Sequence, residues 1–141
     1  MAGGVGSRFW PYSRTKFPKQ FHDILGTGRT MLQQTADRFE GVVPKENIYI
    51  VTNAAYVDLV KSNLPFLTDK QVLAEPMAKN TAPCIAYAAY KIRSKNEKAN
   101  IIVSPADHFI QKESEFRKTI NQALNFTEKN NAIVTIGIVP T

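Results

Sequence analysis

Cysteine is nearly absent from this sequence. Cys84 stands alone, so no disulfide can form within the chain, and its neighbours in Ala82-Pro83-Cys84-Ile85-Ala86 are apolar. A lone cysteine in such surroundings reads as a small buried hydrophobe and not as a nucleophile. A reducing, cytoplasmic setting is the matching expectation. Long apolar runs are missing too. None approaches the roughly 20 residues a membrane helix needs, and the N-terminus carries no apolar stretch of a secretory signal. Histidine is scarce: His22 reads as a surface residue, and His108 as orienting at most. Repeats and low-complexity linkers are absent. Acidic residues are outnumbered, 12 against 18 Lys and Arg, which leaves a formal charge of +6. A basic balance favours anionic partners. Solvated surface lysines would account for the excess by themselves, but Arg8, Arg14, Lys16 and Lys19 cluster within the first twenty residues.

With 43% hydrophobic and 21% charged residues, the chain can bury a core and is not of a disordered type. Its 141 residues suit one domain. Residues 1–20, rich in Gly, Pro, Ser, Arg and Lys, predict a loop. Thr30 with Gln33 forms the signature of a capping box, and Met31, Leu32, Thr35, Ala36 and Phe39 follow at helical spacing, with Gly41 and Pro44 as the stop. Ile48 to Thr52 is a β-branched run that predicts a buried strand. Asn53 caps a second helix reaching about Asn63. Gln71 to Ala74 is a brief strand. Asn80 or Thr81 caps a third helix with Pro83 in its first turn. Asn100 to Ser104 reads as a strand ended by Pro105, residues 113–130 as a fourth helix, and Ala132 to Val139 as a last strand. Alternating strands and helices predict an open, doubly wound, mostly parallel α/β sheet. Ligands in such sheets bind beyond the carboxyl ends of the strands, here the loops after Thr52, Ala74 and Ser104.

Two stretches carry chemistry. Gly3-Gly4-Val5-Gly6-Ser7-Arg8 lets the backbone turn tightly and bring its N–H groups up to phosphate oxygens, with the planar fork of Arg8 beside them. A tight turn with no ligand explains that hexapeptide equally well. Trp10-Pro11-Tyr12-Ser13-Arg14 and Phe17-Pro18-Lys19-Gln20-Phe21 form a proline-stiffened loop in which Lys19 is placed to neutralise charge on a transferring phosphoryl group. Asp107, past Pro105, is a hard oxygen ligand in the position expected for Mg²⁺, and is also an ordinary turn aspartate.

The string GGVGSRFWPYSRTKFPKQF resembles the signature of the sugar-1-phosphate nucleotidyltransferases, within them the mannose-1-phosphate guanylyltransferases. IVTN at 50–53, EPMAKNTAP at 75–83, SPADH at 104–108 and the closing IVTIGIVPT fit the same family, so the resemblance covers essentially the whole chain. It implies a Rossmann-like fold of the nucleotide-diphospho-sugar transferase type. It also implies attack of mannose 1-phosphate on the α-phosphorus of GTP with release of pyrophosphate. On that resemblance Gly3, Gly4, Gly6, Ser7 and Arg8 would cradle the triphosphate, with Arg8, Lys19 and Asp107 as the catalytic set. Glu75, Pro76, Asn80 and Thr81 would lie near base and ribose, and Asp107 would bind Mg²⁺.

Lys79 departs from the family, which usually has Arg there, and so keeps the charge without the bidentate geometry. Only Met1 and Ala2 precede the glycines, so residues 1–141 read as a partial nucleotidyltransferase domain with its first strand missing. The family's sugar segment and second metal-binding aspartate would lie beyond Thr141. Unpaired backbone groups beside that gap predict self-association. No nucleic-acid or membrane partner is expected. Two alternatives stay open: another pair of nucleotide and sugar phosphate, or a non-catalytic nucleotide-binding or assembly module.

Overall fold

A computed structural model describes residues 1–4, 9–75, 77 and 80–137. The chain divides into two compact units, Met1–Phe109 and Ile110–Thr141. In the first unit, helix α1 spans Met31–Arg38, strand β1 Ile50–Asn53, helix α2 Val57–Asn63, strand β2 Val72–Glu75 and helix α3 Thr81–Arg93. The Thr30–Gln33 capping box forms as the sequence predicts: the Gln33 amide donates to Thr30 Oγ1, and the Gln33 side chain accepts from the Thr30 amide. The helix stops at Arg38, ahead of Gly41, whose positive φ of 78° shapes the turn that follows. Asn53 caps a 3-10 turn at Ala54–Tyr56, which leads into α2.

β1 and β2 run parallel, with Ile50 opposite Val72 and Asn53 opposite Glu75. Both strands begin one or two residues later than the apolar run suggests. Alternation along them sends side chains to two faces. Ile50 and Val72 join Leu32 and Ala36 of α1, Val60 of α2 and Leu64 just past it in one core cluster. Val51 and Leu73 pack with Cys84, Tyr87 and Ala88 of α3 in another. Helices on both faces of a parallel pair are the layering expected of a doubly wound α/β fold.

Asn100–Ser104, expected as a strand, is not assigned to one among the described residues. Its neighbour is Met1–Ala2, which fills the slot beside β1 over two residues only. The Ala2 amide donates to Val51 O at 2.8 Å, and the Ala106 amide donates to Met1 O at 3.1 Å. A strand needs a partner along its length, and Ile101 and Val103 lie beyond that short contact, more than one-third exposed.

In the second unit, helix α4 spans Glu113–Lys129, close to the predicted 113–130. The expected strand from Ala132 does not form among the described residues 132–137, and Ile133 is 98% exposed. Apolar β-branched composition supplies a tendency to extend, not a ladder. The remainder of that expected strand, Ile138 and Val139, lies outside the described residues. No helix among the described residues is long and apolar enough to cross a membrane.

Candidate functional site

The site is assembled at the carboxyl end of the two strands. Thr52, fully buried in β1, donates its hydroxyl to Ala2 O at 3.0 Å and holds the residue that leads into the glycines. Gly3 then passes so close to the end of β2 that a Cβ on it would sit 3.2 Å from Glu75 Oε2 and 3.7 Å from the Asn53 amide nitrogen. Close approach, not a positive φ, is what glycine supplies at this position.

The loop from Phe9 to Phe21 folds on itself before reaching the same place. Arg14 and Phe17 exchange backbone hydrogen bonds of 3.2 and 2.9 Å. Ser13, buried in the loop, accepts the Lys19 amide on its hydroxyl at 3.0 Å. A 3-10 turn at Lys19–Phe21 follows, and the Phe21 ring, 2% exposed, packs edge-on against Tyr56. Lys19 is thereby carried to the third component. Its Nζ lies 3.5 Å from Asp107 Oδ2, 3.4 Å from the Asp107 carbonyl oxygen and 4.3 Å above the Phe9 ring. The lysine side chain is 17% exposed and the aspartate 45%, so the pair sits at a rim with the carboxylate on the open side.

Met1, Ala2, Gly4, Lys19, Gln20, Ala106 and Asp107 line one cleft of about 100 Å³. Drug-sized ligand pockets run to roughly 300–1,000 Å³, so this cleft matches a phosphate group in scale and not a whole nucleoside. Gly4, Lys19 and Asp107, far apart in sequence, meet here. Gly3 and Glu75 meet on the adjoining side. Asn80 and Thr81 open α3, but the expected Asn80 cap does not form. The residue adopts φ 66° and its side chain makes no capping hydrogen bond, because positive-φ backbone replaces the extended geometry a cap requires. Gly6, Ser7, Arg8, Pro76 and Lys79 lie outside the described residues.

Three residues of the site are not singled out by the sequence. Gln20, 4% exposed, donates from Nε2 to Ala2 O at 2.8 Å and to Gly4 O at 3.3 Å. Ser13 fixes the Lys19 backbone, as above. Arg38 at the end of α1, 2% exposed, donates from Nη2 to His108 O at 3.1 Å and so steadies the turn carrying Asp107. Gln20 and Arg38 work through backbone carbonyls distant in sequence, and Ser13 through an amide six residues on in the same loop, none of which local spacing signals. His22 packs edge-on against Phe17, with its Nε2 3.0 Å from the Phe17 carbonyl oxygen, and takes no part in the cleft.

Cys84 behaves as its apolar neighbours suggest. Burial pushes its thiol above the ordinary range, and the nearby Glu75 carboxylate adds to the shift. A thiol kept protonated is a poor nucleophile. In the native chain, disulfide-reagent modification of Cys84 at neutral pH should therefore be slow and should accelerate on adding denaturant. Rapid stoichiometric labelling without denaturant would contradict the burial.

Comparison with known proteins extends the picture. The model of the nucleotidyl transferase family matches residues 1–141. Over 143 residues the chain is 41% identical to a mannose-1-phosphate guanylyltransferase of Salmonella montevideo, covering 100% of this chain and 29% of that protein. It is 38% identical over 144 residues to a mannose-1-phosphate guanylyltransferase of Escherichia coli K12, covering 99% of this chain and 30% of that protein. A crystal structure of a mannose-1-phosphate geranyltransferase from Thermus thermophilus shares the fold with a TM-score of 0.79 at 28% identity, over 92% of this chain and 37% of that one. The chain thus spans about 30% of the length of the curated relatives it matches.

Proposed function

Because this chain belongs to the nucleotidyl transferase family, we propose that it forms the nucleotide-binding part of an enzyme that moves a guanylyl group from GTP to mannose 1-phosphate. The observation that carries the reading is the meeting of Lys19, Asp107 and Gly4 around one phosphate-sized cleft. In the reaction an oxygen of the sugar phosphate attacks the α-phosphorus in line. The bond to the bridging oxygen breaks, and pyrophosphate leaves with the electron pair. Such transfers depend on positioning and charge neutralisation more than on covalent groups.

Gly3 and Gly4 are assigned to the triphosphate, and Gly6, Ser7 and Arg8, outside the described residues, are assigned with them by motif. Lys19 neutralises charge that grows on the leaving oxygens. Glu75, Pro76, Asn80 and Thr81 are assigned to the base and ribose. A magnesium ion that arrives with its nucleotide needs little more from the chain than one accessible carboxylate, and Asp107 offers one at the rim of the cleft. Mg²⁺ is commonly bound by one or two carboxylates, with phosphates and water as its other ligands. Asp107, on the open side of the rim, is the carboxylate of that set. When bound, the ion supplies Lewis-acid polarisation of the phosphate oxygens.

Calorimetric titration with GTP, UTP and dTTP in the presence of Mg²⁺ tests the reading, followed by pyrophosphate release with mannose 1-phosphate and glucose 1-phosphate. The expected result is tightest binding of GTP. Preference for UTP or dTTP would overturn the guanine assignment, and absence of all nucleotide binding would overturn the site. Binding without pyrophosphate release would leave the 141-residue chain as a nucleotide-binding module.

A further inference from the structure

We infer that Gln20 is the positioning residue that sets the glycine turn and fixes its distance from Lys19. The inference rests on the nucleotide reading of the cleft for its consequence, and on geometry alone for its premise. The Gln20 side chain is buried, and one nitrogen, Nε2, donates to the carbonyls of Ala2 and Gly4, the residues on either side of Gly3. Its two N–H groups are thus spent on the turn. The Ala2 carbonyl oxygen also accepts the Thr52 hydroxyl, so both its lone pairs are engaged.

A peptide unit is planar and trans, so fixing a carbonyl fixes the amide hydrogen on the other side of the same plane. Gln20 therefore orients the Ala2–Gly3 peptide plane, and with it the Gly3 N–H that the glycine segment offers to phosphate, and it holds the Gly4 carbonyl where the segment leads on. Glycine itself supplies no such restraint, because it is the residue with most backbone freedom to lose. The chain neighbour of Gln20 is Lys19, in the same 3-10 turn, whose ammonium reaches Asp107. One rigid turn thus holds the two parts of the cleft, the backbone donors and the mobile cation, at a set separation. The Ser13 hydroxyl fastens that turn at the Lys19 amide.

The test uses two variants of the 141-residue chain. Gln20→Met keeps length and removes both donors. Gln20→Glu keeps shape and sets a carboxylate oxygen against two carbonyls. In the ligand-free chain, ¹⁵N relaxation at Gly3 and Gly4 should show a fall in order, toward the flexible range below about 0.6, while the amides of Thr52 and Leu73 in the strands hold theirs. Titration with Mg²⁺ and GTP should be weakened about tenfold in Gln20→Met, as expected for losing one net hydrogen bond's worth of preorganisation. UTP, dTTP and inorganic triphosphate should weaken by the same factor, because the turn meets phosphate and not base.

Unchanged order at Gly3 and Gly4 in a folded variant overturns the proposal. A loss confined to GTP overturns it as well, since it would place Gln20 at the base. Global unfolding of both variants would make Gln20 a core residue and end the positioning role. If the parent chain binds none of the phosphate ligands, the nucleotide reading falls alone, and the relaxation result still decides whether Gln20 holds the turn.

Discussion

Replacing Lys19 by methionine is expected to move two affinities in opposite directions. The ammonium now lies 3.5 Å from one Asp107 oxygen. In the nucleotide complex it would turn to the phosphates while magnesium takes the carboxylate. Methionine keeps the aliphatic length and loses the charge. GTP binding in the presence of Mg²⁺ should weaken by roughly tenfold to a hundredfold, the range for a lost hydrogen bond to a charged group. Mg²⁺ alone should bind more tightly, by about threefold to tenfold, because removing a unit charge a few ångströms from a carboxylate in a wet environment frees about 1 kcal/mol of competition. Calorimetry with GTP and titration with Mn²⁺ as a paramagnetic stand-in read the two effects separately. If both affinities fall together, Lys19 is structural. If neither changes, the lysine does not face the phosphates.

The second large effect falls on stability. Phe21 ends the turn that carries Lys19 and Gln20, and its ring, 2% exposed, packs with Leu32, Tyr56 and Leu64 in the larger core cluster. Phe21→Ala removes the ring and leaves a cavity, for which the usual cost is about 3–5 kcal/mol. Denaturant unfolding monitored by circular dichroism should lose that much. The glycine turn should loosen with it, since Gln20 sits one residue away. A change under about 1 kcal/mol would mean the cluster collapses around the gap or that the turn is not anchored by it.

Much of the first unit is legible in the sequence. The capping box at Thr30 and Gln33 depends on two residues three apart, and it forms. Helix α3 begins at Thr81 with Pro83 in its first turn, where proline's missing donor does no harm. The parallel pairing of β1 and β2 follows from two short apolar runs separated by a helix. Lys19 and Asp107 are marked by motif position and meet in space.

What is not legible shares one physical feature: it depends on a partner distant in sequence. The runs at 101–104 and 132–137 have strand-like composition, yet a strand is a relation between segments. Beside Ser104 the described contact is with Met1, whose amino group donates to Ser104 O and whose carbonyl accepts the Ala106 amide. Gln20 and Arg38 look like surface residues by type, and both are buried because a main-chain carbonyl from another segment needs their donors. The positive φ at Asn80 is equally silent in sequence, since asparagine before a helix reads as an ordinary cap with extended backbone.

The most direct test of the central claim is to follow the backbone amide resonances of the 141-residue chain while Mg²⁺ and GTP are added. Saturable shifts concentrated at Gly3, Gly4, Lys19, Gln20 and Asp107 are the predicted result. Saturable shifts confined to residues outside that cleft, such as the exposed face of α4, would contradict it.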